Sequence, residues 1–188
     1  MSYVVGDGVY DVPLHRRIYF SGDYMDIPNR KPTRCKNFDY SSAGAYFITI
    51  CVKDRKNLLG QIVGTGVLDG PLNKLSDYGK IAERYILQLN DFYEHLSVDN
   101  FVIMPNHIHI LLSVLKYDGP SGTPVPTNNT ISRFVSTFKR FCNKEYGRNI
   151  WQRSFNDHII RNENDYLVRW NYIDSNPAKW CDDRYYVE

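Results

Sequence analysis

The sequence predicts an α+β fold in which helices pack on one face of a largely antiparallel sheet. Short runs of β-branched and aromatic residues alternate with longer segments of helical periodicity, in the order strand, strand, helix, strand, strand, helix, strand, helix. Between the third and fourth strands, Pro105 and Asn106 interrupt two aliphatic runs, which is typical of a tight turn. A sheet covered by helices on one side leaves its other side available for a ligand.

Length and composition favour one cytoplasmic domain with extensions. The chain has 188 residues, and its formal net charge of +2 is too small to indicate a nucleic-acid partner by itself. Its four cysteines form no Cys-x-x-Cys pair, which argues against a structural zinc site and a disulfide framework. No apolar run is long enough for a signal peptide or a membrane span. We divide the chain into a basic arm (1–36), a domain (37–180) and a tail (181–188).

The elements follow from local patterns. Strands are expected where β-branched and aromatic residues dominate, at 46–52, 60–68, 97–104, 107–115 and, as a short edge strand, within 150–160. Helices are expected at 76–89, 130–146 and 166–175, with Asn164 or Asp165 as the cap of the last one and Pro177 barring its continuation. Residues 117–129 carry three prolines and two glycines and are expected to form a loop.

Two histidines stand out on the strand after the Pro105–Asn106 break. Side chains alternate along a strand, so His107 and His109 share one face, about 7 Å apart at Cα. Imidazole is a common ligand of divalent ions, so this pair is a candidate metal site. The pattern alone equally fits two partly exposed histidines without a role.

The last predicted helix presents a polar pair. Tyr172 and Asn176 are four residues apart and therefore lie on one helix face. Tyr166, Trp170 and Ile173 fall on the neighbouring stripe and suit a core. The pair could face a site, or Tyr172 could be a half-buried tyrosine with its hydroxyl in water.

Basic residues cluster in two places. Residues 14–36 have a net charge of +4, and the helix predicted at 130–146 has a basic ridge formed by Arg133, Arg140 and Lys144 together with Thr137. Such clusters can contact nucleic-acid phosphates, although a solvated tail and a solvated helix face explain them as well.

Seven short segments are informative when they are taken together. They are DY at 39–40, GAYFITIC at 44–51, VIMPNHIH at 102–109, FKR at 138–140, IWQRSF at 150–155, DHIIR at 157–161 and YIDSNP at 172–177. In this order they resemble the REP-associated tyrosine transposases, a branch of the single-tyrosine HUH endonucleases. The resemblance extends over roughly residues 31–180.

The resemblance implies a ferredoxin-like, palm-type antiparallel sheet and a nucleoid-associated enzyme that cuts and rejoins single-stranded DNA at hairpin-forming repeats. By matching positions, His107 and His109 would bind Mg²⁺ or Mn²⁺, and Asn176 would complete the metal shell. Tyr172 would be the nucleophile of a covalent 5′-phosphotyrosine intermediate. Relatives include dimers and monomers, so a homodimer stays open. We assign DNA contacts to Arg34, Arg133, Lys139, Arg140, Lys144, Arg153 and Arg161.

Two alternatives remain. Histidine-triad nucleotide hydrolases also carry alternating histidines, but the third position here is Leu111, which argues against that class. A non-catalytic protein that binds structured DNA or RNA would keep the same motifs. Trp151 and Phe155 could stack on bases or pack in the core, and His158 suits a phosphate contact or a structural hydrogen bond.

Overall fold

The structure is a computed structural model that describes residues 43–64, 71–115 and 130–187. The strands are β1 (Gly44–Cys51), β2 (Gly60–Val63), β3 (Leu72–Leu75), β4 (Leu96–Ile103), β5 (His107–Val114) and β6 (Asn156–Ile159). The helices are α1 (Asp77–Phe92), α2 (Thr130–Tyr146) and α3 (Glu163–Ser175), with short 3-10 turns at Lys53–Arg55 and Pro177–Asp182. The basic arm with Arg34 and the loop expected at 117–129 lie outside the described residues.

Four strands form one antiparallel sheet in the order β4-β5-β1-β6. Leaving aside the small β2-β3 pair, the chain runs β-α-β-β-α-β, and its first and third strands occupy the centre. This is the ferredoxin-like arrangement, so the predicted α+β class is confirmed. The central pairing sets Thr49 opposite His109 and Cys51 opposite His107.

The two faces of the sheet carry different helices. Alternation along the strands sends Ile48, Ile50, Ile108 and Ile110 to one face, where they are fully buried with apolar residues of α1 and α2. On the opposite face, a smaller cluster joins Phe47 and Leu111 of the sheet to Ile173 of α3. The expectation that helices pack on one face therefore holds for α1 and α2, whereas α3 lies on the other side.

The local signals were right to within a few residues for β1, α1, β4, β5, α2 and β6, and incomplete for the other elements. On the inner face of α2, Ile131, Phe134, Val135, Phe138 and Cys142 are buried and Phe141 is half-buried. Helix α3 begins three residues earlier than predicted, because the Asn162 side chain accepts a hydrogen bond from the Asp165 N–H at 2.9 Å and caps it. Neither Asn164 nor Asp165 is the cap. The second predicted strand is described only at 60–63, where it pairs with the unpredicted β3.

The C-terminal segment returns to the sheet. After the 3-10 turn at Pro177–Asp182, the carbonyl of Tyr185 accepts a hydrogen bond from the Asn106 amide at 2.8 Å. The carbonyl of Arg184 accepts one from the Arg55 guanidinium at 2.9 Å. These bonds hold residues 183–185 against the β4-β5 turn. No helix in the described ranges is long and apolar enough to cross a membrane.

Candidate functional site

The two histidines of β5 face each other in a closed space. His107 and His109 are 0% and 1% exposed, and their Nε2 atoms lie 3.0 Å apart. They are therefore not partly exposed, as one of the two interpretations had them, and metal binding by the pair stays a prediction. They are buried because Tyr172 of α3 and Tyr185 of the C-terminal segment pack against their rings, with centroids 5.2 Å from His109 and 4.5 Å from His107.

Asn106 fixes the tautomer of His107. Its amide NH₂ group donates to two carbonyls, those of Arg55 at 3.2 Å and Tyr185 at 2.8 Å, so its Oδ1 must be the atom facing the imidazole. Nδ1 of His107 lies 2.9 Å from that oxygen and must carry the proton. The Nε2 atom of neutral His107 therefore presents a lone pair to the site.

Thr49 is the hydrogen-bond partner of His109, but it allows either tautomer of that imidazole. Its Oγ1 lies 2.9 Å from Nδ1 of His109, and a hydroxyl can either donate or accept. When Nδ1–H donates to Thr49, both Nε2 atoms present lone pairs to one point, which suits a cation. Without a cation, His109 can donate through Nε2 to His107 while Thr49 donates to Nδ1. A ligating imidazole held through its other nitrogen is the usual form of a metal site.

Burial also keeps both imidazoles uncharged. The pKa of His107 is lowered to about 4, chiefly by desolvation; the Asp183 carboxylate opposes this shift, and Arg184 and Arg55 add to it. Desolvation, then His107 and nearby arginines, holds the pKa of His109 well below its ordinary value. Metal ligation requires neutral imidazole, so the pair is ready for it at pH 7.

Tyr172 reaches the imidazole pair from the facing helix of the same chain. Its Oη lies 3.5 Å from His109 Nε2 and donates to Asp183 Oδ2 at 3.2 Å. The ring packs edge-on against Phe47, with centroids 5.8 Å apart. Burial raises the pKa of the Tyr172 phenol, and the Asp183 carboxylate raises it further, so the phenol is protonated at pH 7.

Asn176 is also at the site but in an unexpected orientation. The residue is 2% exposed, and its amide Nδ2 donates to Asp183 Oδ2 at 3.3 Å. Its Oδ1 is buried without a hydrogen-bond partner among the described residues. A buried acceptor normally has a partner, so this orphaned oxygen fits a water molecule, such as one bound to the implied cation.

Asp183 is the site residue that the sequence analysis missed. Its side chain is 3% exposed, and Oδ2 lies 3.9 Å from His107 Nε2. The ligand atoms of His107, His109 and Asp183 all lie within 4.8 Å of one another. No spacing rule ties residue 183 to the β5 histidines, so the sequence offered no signal for it.

Three arginines that the sequence analysis did not single out add positive charge around the site. Arg55, Arg169 and Arg184 each lower the pKa of one or both histidines through their charge. The Arg169 guanidinium lies over the Phe47 ring, 5.5 Å from its centroid, and Phe47 stacks on His109. Arg169 could have been found, because it precedes Tyr172 by three residues and so shares its helix face.

Of the predicted DNA-contacting residues, those exposed on α2 lie across the sheet from the histidines. Arg133, Arg140 and Lys144 are exposed on α2, which covers the opposite face of the sheet. The Lys139 ammonium donates to the carbonyls of Gln152 at 2.8 Å and Ser154 at 2.9 Å, so it ties α2 to the following loop. Arg153 and Arg161 are exposed, and Arg34 is outside the described residues.

Three other candidates are structural. Trp151 and Phe155 are 2% and 9% exposed and belong to the main core, so neither offers a face for a base. His158 Nε2 lies 2.8 Å from the Asp165 carboxylate at the start of α3, which links β6 to that helix. This is the structural hydrogen bond that the sequence left as one of two alternatives.

Comparison with known proteins finds relatives of this chain by sequence. No family model matches the chain. An uncharacterized protein of Haemophilus influenzae is 32% identical over 86% of this chain and 96% of its own length. The REP-associated tyrosine transposase of Escherichia coli is 25% identical over 74% of this chain and 70% of its own length.

A solved structure shares the fold. The structure of a REP-associated tyrosine transposase bound to a REP hairpin superposes with a TM-score of 0.55 and 22% identity, and the match covers 80% of this chain and 74% of that one. With the mixed helix and antiparallel sheet described above, these relationships define a transposase-type, DNA-processing class. The chain is related to the REP-associated tyrosine transposases.

Proposed function

We propose that this protein is a divalent-metal-dependent nuclease and strand transferase that acts on single-stranded DNA at hairpin-forming repeats. One observation carries the proposal. The Tyr172 Oη lies 3.5 Å from His109 Nε2, which in turn lies 3.0 Å from His107 Nε2. A potential nucleophile and two neutral imidazoles, which are candidate metal ligands, therefore lie close together within a single chain, so the same chain can supply the tyrosine.

The site residues have distinct tasks in this chemistry. His107 and His109 would hold Mg²⁺ or Mn²⁺, which when bound polarises a non-bridging phosphate oxygen and offsets developing negative charge. Tyr172 Oη attacks the phosphorus, forming a bond to the 5′ phosphate while the bond to the 3′ oxygen breaks. The hydrogen bond to Asp183 Oδ2 at 3.2 Å orients the phenol; the phenolic proton passes to solvent, and the leaving 3′ oxygen takes a proton from solvent. Attack by another 3′ hydroxyl reverses these steps and joins a new strand.

Two considerations support a DNA hairpin as the partner. The Escherichia coli relative is named for REP elements, and the solved structure that shares the fold holds a REP hairpin. The positive charge of Arg55, Arg169 and Arg184 beside the histidines suits an anionic backbone. The exposed arginines and lysine of α2 lie across the sheet, so they could contact only DNA that extends beyond the pocket.

The experiment is an adduct assay. Incubation of the protein with a hairpin-bearing single strand and Mn²⁺ should give a covalent protein–DNA species that survives denaturing electrophoresis. Tyr172→Phe should abolish it. Tyr166→Phe is the matched control, because Tyr166 lies on the same helix but bonds to Asp99, away from the histidines, and this variant should still form the adduct.

Other outcomes favour other functions. Tight binding of the hairpin without an adduct under any divalent ion would favour a non-catalytic binder derived from a transposase. Release of a nucleoside monophosphate from a small nucleotide would favour a hydrolase. An adduct of equal yield in Tyr172→Phe would remove this tyrosine from the chemistry.

A further inference from the structure

We propose that Asp183 supplies the carboxylate ligand that completes the divalent-cation site begun by His107 and His109. The inference deepens the proposed function and rests on its metal site. It replaces Asn176, the third ligand expected from the sequence resemblance, with a residue of the C-terminal segment.

The positions of the donor atoms suit a shared cation. His107 Nε2 lies 3.0 Å from His109 Nε2 and 3.9 Å from Asp183 Oδ2, and all three ligand atoms are within 4.8 Å of one another. In six-coordinate Mg²⁺ or Mn²⁺ sites, bonds of about 2.1 Å place neighbouring donors roughly 3 Å apart and opposite donors roughly 4 Å apart. Small side-chain adjustments are enough to bring the three atoms around one ion.

Charge supports the same arrangement. The Asp183 side chain is 3% exposed, and its one ion-pair partner among the described residues is His107. In the tautomer that Asn106 sets, the His107 nitrogen that faces Asp183 carries a lone pair and not a proton. A buried carboxylate without a cation beside it is costly, and a divalent ion between it and the two imidazoles would supply the missing charge.

The hydrogen bonds around the carboxylate leave room for one more partner. Tyr172 Oη and Asn176 Nδ2 donate to Oδ2 at 3.2 and 3.3 Å, and the Tyr185 N–H donates to Oδ1 at 2.7 Å. A carboxylate oxygen has about two acceptor sites, so Oδ1 has one free, whereas a cation at Oδ2 would take the place of one of its two longer bonds. These donors fix the orientation of the group, as the outer neighbours of a metal ligand do.

The same contacts explain why Asp183, and not Asn176, is the ligand. The Asn176 amide turns its NH₂ group toward the carboxylate and acts as a donor, so it is a positioning residue for Asp183. Carboxylate oxygen is also the stronger ligand for Mg²⁺ and Mn²⁺, because it is charged. The Asn106 amide, bonded to the Tyr185 carbonyl and to His107, holds the segment that carries Asp183 beside the histidine it would share a metal with.

The test measures metal affinity and needs no DNA. Mn²⁺ is titrated into wild type, Asp183→Asn and Asp182→Asn by calorimetry, and the Mn²⁺-induced rise in Tm is recorded for each. Asp182 is the matched control, because it is the adjacent, exposed aspartate and loses the same charge. We expect Asp183→Asn to weaken Mn²⁺ binding by at least ~10-fold and to lose most of the Tm rise, and Asp182→Asn to bind as wild type does.

Each contrary result has its own meaning. Equal affinity in Asp183→Asn and wild type overturns the inference and leaves the histidine site of the proposed function standing. Loss of binding in Asn176→Ala with retention in Asp183→Asn also overturns it, because the amide would then be the ligand. No Mn²⁺ binding by wild type overturns both the inference and the metal requirement.

Folding of the variant is checked separately. The Tm without metal and the far-ultraviolet circular dichroism show whether Asp183→Asn is native. If it does not fold, Asp183→Glu decides, because it keeps the charge but lengthens the side chain. A native Asp183→Glu protein should bind Mn²⁺ with altered affinity, and unchanged affinity would overturn the inference.

Discussion

Asn106→Ala tests whether the β4-β5 turn holds the candidate site together. Asn106 is 1% exposed and makes three hydrogen bonds, two to carbonyls of distant segments and one to His107 Nδ1. Alanine removes all three and leaves the Nδ1–H of His107 buried without an acceptor. The change should therefore loosen both the C-terminal segment and the imidazole that faces it.

The expected cost follows from those contacts. A buried hydrogen bond contributes about 1 kcal/mol net, and an unsatisfied buried donor costs more, so three lost bonds should lower the unfolding free energy by about 3 kcal/mol. Asn100→Ala is the matched control. Asn100 makes a single exposed bond to Asp174 at 2.9 Å, so its loss should cost about 0.5 kcal/mol.

Urea denaturation monitored by tryptophan fluorescence measures both variants, with equal m-values as the condition for comparing midpoints. Mn²⁺ affinity, measured on the folded protein, should also fall about 10-fold in Asn106→Ala, because the variant loses the group that sets the His107 tautomer. The reasoning is refuted if Asn106→Ala is no less stable than Asn100→Ala.

Two further predictions concern pH and the basic ridge. Burial lowers the folded pKa of His107 to about 4, below its value of about 6.5 in the unfolded chain, so acidification from pH 6.5 toward 4 protonates only the unfolded state. It should reduce the unfolding free energy by about 3 kcal/mol. Urea midpoints across this range should show the loss, and His107→Gln should flatten it; parallel curves would contradict the assignment. The double change Arg140→Ala with Lys144→Ala should lower the salt slope of single-strand binding by roughly 1.5 and leave the adduct rate at saturating DNA unchanged, since α2 lies across the sheet from Tyr172. An unchanged slope would make the ridge an ordinary solvated surface.

The order of elements was readable from the sequence because local patterns decide it. The apolar stripe of α2 and the break at Pro105–Asn106 both lie where they were expected. Strand β3 was missed because Asn73 and Lys74 lie inside four residues and hide the strand pattern; its pairing with β2 comes from tertiary context. The placement of α3 on the far face could not be predicted, since Ile173 alone among its residues is buried.

The site was predictable in part, because local sequence spacing also decides which side chains share a face. His107 with His109, and Tyr172 with Asn176, are pairs at fixed spacing on single elements, so strand and helix geometry put each pair on one face. Their roles remain predictions. Asp183 follows a 3-10 turn. The segment that carries it is held by contacts with distant residues, such as the bond from Asn106, which lies 79 positions before Tyr185. No local sequence rule predicts the position of Asp183.

The hydrogen bonds of the C-terminal segment join residues that are far apart in the sequence, and this separation determines when the candidate site is completed during folding. The bond between Arg55 and the Arg184 carbonyl spans 129 positions, and loop closures of that length form late and slowly. Tyr172 and Asp183 are only 11 positions apart, so both become available for the site after strands β1–β5 have been made. A molecule whose C-terminal segment has come away from the sheet would thus lack the Asp183 carboxylate beside the histidines.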